Sequence, residues 1–218
     1  MKDCLEGMKV LSKKLVRKPV QKRSLDKLNT ILAVSKELFA KKNYFNVTTN
    51  EIAKEAGISI GTLYSYFSNK EEILSLILKD YNESFIVIFN QLNTSENLEL
   101  FSSDYKGWIG KLIDNLISLE DKEFHAQIEM LSYSIPEVKE IQDQHNDKMK
   151  ELTYQCLKHY VGNKEITNLK SISNVLFNFI TSIVDEILYS SHSDEKITAL
   201  RKTSLDCIAL ILENLLYS

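Results

Sequence analysis

The sequence has few residues that interrupt regular structure, with two prolines and six glycines in 218 residues. This scarcity favours a helical protein with short connections. Hydrophobic residues make up 44% of the chain and charged residues 26%, which provides enough apolar material for a sizeable core. No strand pattern or internal repeat is present in the sequence. We therefore predict an all-α fold.

Residues suited to metal or redox chemistry are also rare. The three cysteines, Cys4, Cys156 and Cys207, are an odd number without metal-ligand spacing, which favours free thiols in a reducing cytosol. His145 and His159 are fourteen positions apart and share no metal spacing. The sequence also has no nucleophile motif, paired carboxylate site or glycine-rich phosphate loop. It predicts neither a metal nor a cofactor, and it argues against an enzyme.

Long hydrophobic runs are absent as well. No apolar stretch approaches the roughly 20 residues needed to cross a bilayer. Residues 1–22 are basic but have no apolar signal-peptide core. We expect a cytoplasmic protein with no membrane partner.

Charge is distributed unevenly along the chain. Residues 1–72 contain 14 Lys and Arg against 8 Asp and Glu, whereas residues 73–218 contain 13 against 22. A basic first third indicates contact with a polyanion, although chance clustering would give the same pattern. Residues 1–23 have the composition of a basic arm, and Pro19 interrupts any helix there. The arm is expected to add DNA affinity without sequence choice, the alternative being a solvated tail.

Helical periodicity continues from Ser24 to the end of the chain. A first helix is expected over 24–42, followed by two short helices between residues 48 and 67. The remaining helices are predicted at about 69–91, 98–119, 122–133, 136–160, 167–191 and 194–216.

The segment around Thr48 has the pattern of a helix start. Thr48 suits the N-cap and Glu51 the N3 position of a capping box. Val47 and Ile52 occupy the two positions of a hydrophobic staple. Gly57 then ends this helix as a C′ glycine.

The same pattern repeats one residue later. Ser59 is the predicted N-cap of the next helix, with Ile58 and Leu63 as its staple pair. Two short helices joined through Gly57-Ile58 indicate a helix-turn-helix over residues 48–67. In this motif the second helix enters the major groove by its N-terminal end.

Two residues at that end do not favour helix formation. Gly61 costs about 1 kcal/mol of helix propensity relative to Ala, but it permits close approach of a backbone. Ile60 is apolar beside the stapled face and suits contact with a thymine methyl group. The alternative is that Ile60 packs against the first helix and that Gly61 is simply tolerated. Hydroxyls at Thr62, Tyr64, Ser65 and Tyr66 and the ammonium of Lys70 suit phosphate contacts.

The run TTNEIAKEAGISIGTLYSYFSNKEEIL, residues 48–74, resembles the DNA-binding signature of the TetR (tetracycline repressor) family. Its most specific part, GxxxGTLYxYFxxKEEL, extends from Gly57 to Leu74 with Ile at position 73. With the first helix included, the resemblance covers about residues 24–80. The sequence departs from the family at Asn43, where Gly is usual, and at Ile60, where a polar residue is frequent.

The resemblance implies an N-terminal three-helix helix-turn-helix DNA-binding domain (24–80) joined to a helical C-terminal effector-binding and dimerisation domain (81–218). It also implies an obligate homodimer that binds a palindromic double-stranded DNA operator. The positions matching typical DNA-contacting places of the family are Thr48, Thr49, Ser59, Ile60, Gly61, Thr62, Tyr64, Tyr66 and Lys70.

The last two predicted helices carry wide apolar stripes. By resemblance they pair with their copies in a dimer, although the stripes would also suit an intrachain core. Aromatic and polar residues of the C-terminal part suit the lining of a small-molecule site, the alternative being plain core. These candidates are Trp108, Phe124, Tyr133, Tyr154, Phe177 and Asn178.

The sequence thus predicts a DNA-binding transcriptional regulator, specifically a repressor that a small-molecule effector releases from its operator. The alternative is a DNA-binding protein of the same fold without an inducer, either a chromosome organiser or an activator.

Overall fold

A computed structural model describes residues 22–92, 94–119, 121–189 and 191–217, in which all regular structure is helical. The predicted all-α fold is confirmed. Most of the predicted basic arm lies outside the described residues, and only Lys22 and Arg23 belong to the first helix. The helices are α1 (Lys22–Lys42), a 3-10 helix η1 (Tyr44–Asn46), α2 (Thr49–Glu55), α3 (Ile60–Tyr66), α4 (Lys70–Leu92), α5 (Ser95–Ser103), α6 (Tyr105–Leu119), α7 (Lys122–Ser134), α8 (Pro136–Val161), α9 (Leu169–Tyr189) and α10 (Asp194–Tyr217).

The chain forms two compact units, and the division falls within α4 and α8 and at the start of α7. The N-terminal unit contains residues up to Tyr81 together with Glu123–Gln142, and the second unit contains the rest. This division differs from the sequence-based boundary at residue 80, because most of α7 and the start of α8 group with the helix-turn-helix.

Aromatic packing explains why α7 belongs to the N-terminal unit. The ring of Phe124 on α7 is fully buried and meets the ring of Tyr81 edge-on at 5.5 Å. The ammonium of Lys36 on α1 lies 5.2 Å from the Phe124 ring centroid and 5.3 Å from that of Tyr81. Three helices of this unit therefore meet at one cluster.

Asn43 ends α1 with a φ of 68°, as the tolerance of Asn for positive φ predicts. Its side-chain oxygen accepts a hydrogen bond from the backbone N–H of Phe45 at 3.1 Å. This bond caps η1, which leads the chain into the helix-turn-helix.

The second unit has a core formed largely by α6, α8, α9 and α10. On its surface α6 and α10 run antiparallel and are joined by charged groups. Arg201 donates two hydrogen bonds to the carboxylate of Asp114, at 3.0 and 2.8 Å. Lys106 pairs with Asp206 at 3.2 Å, and the neighbouring residue Tyr105 contacts Glu213, about two turns further along α10.

The helix α9 is long and apolar enough, by length and composition, to cross a membrane. It also supplies seven buried residues to the second unit.

The single helix predicted over 98–119 is wrong, because the structure has two helices with Asp104 between them. The backbone of Asp104 leaves the helical region at φ −145° and ψ 69°. Its carboxylate accepts a hydrogen bond from the backbone N–H of Gly107 at 2.9 Å and so caps α6. A Cβ on Gly107 would lie 2.2 Å from an oxygen of that carboxylate, so a glycine fits the cap closely.

Candidate nucleic-acid interface

The helix α2 starts and ends at the residues that the capping pattern predicts. The Thr48 hydroxyl accepts from the backbone N–H of Glu51 at 3.2 Å. A hydrogen bond from Lys42 is the main reason why the pKa of Glu51 is lowered, and the backbone of Thr48 contributes as well. Val47 and Ile52 are both buried, as a hydrophobic staple requires.

The turn after α2 is a Schellman motif. Gly57 has a φ of 65°, and its N–H donates a hydrogen bond to the carbonyl of Lys54 at 3.1 Å. The N–H of Ile58 donates to the carbonyl of Ala53 at 3.0 Å. Because this turn fixes the direction of the chain, it sets where α3 begins relative to α2.

The helix α3 is capped and anchored as predicted. The Ser59 hydroxyl accepts from the backbone N–H of Thr62 at 3.1 Å and lies 2.8 Å from the Thr62 hydroxyl. Leu63 and Phe67 are fully buried on the opposite side. The N-terminal end of α3 is therefore left at the surface.

Ile60 and Gly61 form the most open part of that end. The Ile60 side chain is 37% exposed. A Cβ built on Gly61 would meet no atom within 4 Å. Internal packing therefore does not explain the glycine.

A hydrogen bond at the surface connects the two helices of the motif. The Thr49 hydroxyl lies 3.1 Å from the phenol oxygen of Tyr64, whose side chain is exposed. Eight of the nine predicted DNA-contacting residues are exposed or half-buried, and the exception is Tyr66. We call seven of these eight, all except Lys70, the reading surface. Its members are Thr48, Thr49, Ser59, Ile60, Gly61, Thr62 and Tyr64.

The expectation that Tyr66 points to the surface is wrong. Its ring is buried in the N-terminal unit. The phenol donates to the carbonyl of Ser24 at 3.2 Å and lies 3.0 Å from the Ser24 hydroxyl. Tyr66 therefore connects the end of α3 to the first turn of α1.

Lys70 has internal contacts that the sequence analysis did not predict. The ammonium donates to the carbonyls of Tyr44 and Val47, both at 2.8 Å. It also lies 4.1 Å from the centroid of the Tyr44 ring. Burial lowers the pKa of Lys70, which is the direction expected for a cation partly withdrawn from water. These contacts fix η1 and the entry to α2.

Asn69 is the N-cap of α4, and its side-chain oxygen accepts from the backbone N–H of Glu72 at 2.8 Å. The Glu72 carboxylate accepts in turn from the N–H of Ser68 at 2.7 Å. Glu71 instead accepts from the Tyr44 phenol at 2.8 Å. Burial, together with this hydrogen bond, raises the pKa of Tyr44.

The six ligand-site candidates are divided between the two units. Phe124 and Tyr133 belong to the N-terminal unit, where Phe124 is buried in the core and Tyr133 is 93% exposed. An exposed side chain of this unit does not fit the lining of an internal site in the other one.

The other four candidates belong to the second unit. Trp108 is buried in its core, and Tyr154 and Phe177 pack partly buried against that core, whereas Asn178 is exposed. Within the described residues no group of three His, Cys, Asp or Glu side chains could hold a metal ion. Cys156 is buried, which raises the pKa of its thiol to about 12.

A capped pair of short helices, followed by a helical unit, is the architecture of a helix-turn-helix regulator. Residues 31–77 match the family model of bacterial regulatory proteins of the tetR family. Residues 86–214 match the tetracyclin repressor-like C-terminal domain. The chain belongs to the TetR family.

Individual relatives agree with this assignment. The fatty acid metabolism regulator protein of Bacillus subtilis is 37% identical over 65 residues, which are 30% of this chain and 34% of that protein. The HTH-type regulator YuxN of Bacillus subtilis is 30% identical over 118 residues, 54% of this chain and 38% of that protein. The matches thus span less than half the length of these curated relatives.

A transcriptional regulator from Aquifex aeolicus has a similar structure, with a TM-score of 0.64 and 20% identity. The alignment covers 85% of this chain and 99% of the Aquifex protein. At this identity the likeness concerns the fold.

Proposed function

We propose that this chain is a homodimeric transcriptional repressor that binds a palindromic operator with the reading surface and is released by a small-molecule effector. Membership of the TetR family supports the class of function.

The observation that carries the DNA-binding proposal is the open N-terminal end of α3. An unobstructed backbone at Gly61 and an exposed apolar side chain at Ile60 contribute little to the stability of the unit. Both suit an approach to base edges, where close backbone contact and a thymine methyl group are available. The surrounding hydroxyls of Ser59, Thr62 and Tyr64 suit phosphate contacts that fix the register.

The dimer proposal is supported by apolar side chains left on the last two helices. Val175 on α9 and Leu210 on α10 are large apolar residues that stay mostly exposed in the single chain. Two copies related by a two-fold axis would bury such residues and place two copies of α3 on one face of DNA. Half-sites are then expected about one helical turn, or a multiple of it, apart.

The effector proposal places the ligand in the second unit, near Trp108, Tyr154 and Phe177. Sequestered aromatic side chains of this kind bind small, mostly apolar molecules. A ligand that favours a dimer in which the two α3 helices no longer match the groove spacing would weaken operator binding. The expected coupling is about 1–3 kcal/mol.

Genomic footprinting of the bound sites tests this proposal most directly. We expect one or a few palindromes close to promoters, and deletion of the gene should raise transcription from them. Many scattered sites would instead favour a chromosome organiser, and lowered transcription would favour an activator. Sedimentation of the purified protein completes the test, because a stable monomer at micromolar concentration would contradict the palindromic arrangement.

A further inference from the structure

The only tryptophan of the chain has a buried donor without a partner. Trp108 lies on α6 and is 8% exposed. Its indole Nε1 has almost no contact with solvent, and no hydrogen-bond acceptor for it exists among the described residues. An indole N–H only donates, and buried donors in folded proteins are nearly always satisfied. The missing acceptor therefore requires an explanation.

The surroundings of Trp108 are aromatic and come from three helices. The ring of Phe101 on α5 meets that of Trp108 edge-on at 4.8 Å. The same Phe101 ring meets Tyr160 on α8 at 4.5 Å. The side chains of Ile109, Leu112 and other aliphatic residues complete the same core. A molecule next to the indole would thus be held mainly by apolar contacts, with one directed polar group available.

Charge in this core argues for a neutral molecule. The buried polar residues described in the second unit are Asn82, Ser173 and Ser204, and no Lys or Arg is among them. A carboxylate or phosphate placed beside the indole would be buried without a counter-ion, which is strongly unfavourable. A carbonyl oxygen accepts a hydrogen bond without that penalty.

We propose that the indole N–H of Trp108 is the hydrogen-bond donor of a site for a neutral, mostly apolar molecule that carries a carbonyl acceptor. The inference rests on the proposed function only in taking this molecule to be the effector. Trp108 is then the residue that selects a carbonyl compound over a hydrocarbon of the same shape.

The single tryptophan makes a direct experiment possible, because the 15N-labelled full-length protein gives one indole N–H resonance. Cyclohexanone and methylenecyclohexane serve as probes, since they differ mainly by an oxygen in place of a CH2 group. We expect cyclohexanone to move the indole proton downfield by hydrogen bonding and methylenecyclohexane to leave it without such a shift. Trp108→Phe should weaken cyclohexanone binding about 2–10-fold, measured on side-chain methyl resonances, and leave methylenecyclohexane binding unchanged.

Three results would overturn the inference. The first is an indole resonance that does not respond to cyclohexanone, and the second is an equal response to both probes. The third is a downfield resonance already present in the free protein, which would indicate an indole N–H bonded to internal water. Tyr133→Phe is the matched control, because this exposed aromatic residue belongs to the other unit and should change neither titration. Operator binding measured on the same samples separates the two proposals. An indole response without loss of DNA binding would establish the site and contradict its role in release.

Discussion

The ammonium of Lys70 lies 4.1 Å from the centre of the Tyr44 ring and donates to the backbone carbonyl of the same residue. The residue that the sequence marks as a phosphate contact is thus also an internal cross-link. An ammonium has three N–H groups, and the contacts to Tyr44 and Val47 use two of them. A phosphate oxygen would therefore have to accept from the third.

Lys70→Met tests both roles of this ammonium. The free energy of unfolding should fall by about 2 kcal/mol, because two carbonyls lose a charged donor. The slope of log K against log salt for DNA binding should fall by about one unit for the lost phosphate contact. Urea titration and binding at several salt concentrations measure the two effects. Lys54→Met, which removes an exposed cation, is the control for stability. An unchanged salt slope would leave Lys70 with the structural role alone.

Gly61→Ala should change stability and DNA binding in opposite directions. The helix gains up to about 1 kcal/mol, because the new methyl group meets no neighbour. Operator affinity should fall by roughly 5–100-fold if a DNA backbone or base edge approaches this position. Gly57→Ala is the contrast, since a φ of 65° makes that substitution destabilising. Undiminished operator affinity for Gly61→Ala would argue against close approach at α3.

Ile60→Ala should relax the preference for one base pair in each half-site by about 1–3 kcal/mol. The reason is that an apolar side chain 37% exposed at the start of α3 contributes contact area rather than hydrogen bonds. The measurement is a titration against operator variants. The ratio between two operators does not depend on the folded fraction of the protein, so any loss of stability cancels. A uniform loss across all operators would place Ile60 outside the base-contacting surface.

Two tyrosines on α3 provide a matched pair. Tyr66→Phe removes only the buried hydroxyl bonded to Ser24, so the free energy of unfolding should fall by about 1 kcal/mol with base preference unchanged. Tyr64→Phe removes a hydroxyl at the surface beside Thr49, so DNA affinity should fall with little loss of stability. Thermal unfolding and DNA titration of both variants distinguish them. The reverse pattern would contradict the placement of both side chains.

Local signals made much of the fold predictable. The start of α2 at Thr49 and of α3 at Ile60, and the turn at Gly57, follow from residues within a few positions of each boundary. Caps and staples involve residues within about one helical turn of each other, so they can be recognised from the sequence alone. The break between α5 and α6 at Asp104 was not predicted, because apolar periodicity continues across it. The only local sign of the break is the hydrogen bond by which Asp104 caps α6 at Gly107.

The side-chain contacts that the sequence did not predict depend on distant partners. Tyr66 bonds to a residue 42 positions away, and Lys70 to carbonyls 26 and 23 positions away. Hydroxyl and ammonium groups suit DNA phosphates as well as internal acceptors, so residue type alone does not distinguish the two. The unpaired indole of Trp108 is likewise visible only once its neighbours are in place.

Residues Glu123–Gln142 belong to the N-terminal unit, and this limits where the chain can be divided into fragments. A fragment cut after Tyr81 would expose the apolar surface that Phe124, Ile128 and Leu131 cover in the intact chain. Chimeras that exchange everything after residue 80 would replace this packing with a foreign segment. An exchange of the C-terminal part of this chain must therefore keep α7 and the first turns of α8 with their own helix-turn-helix.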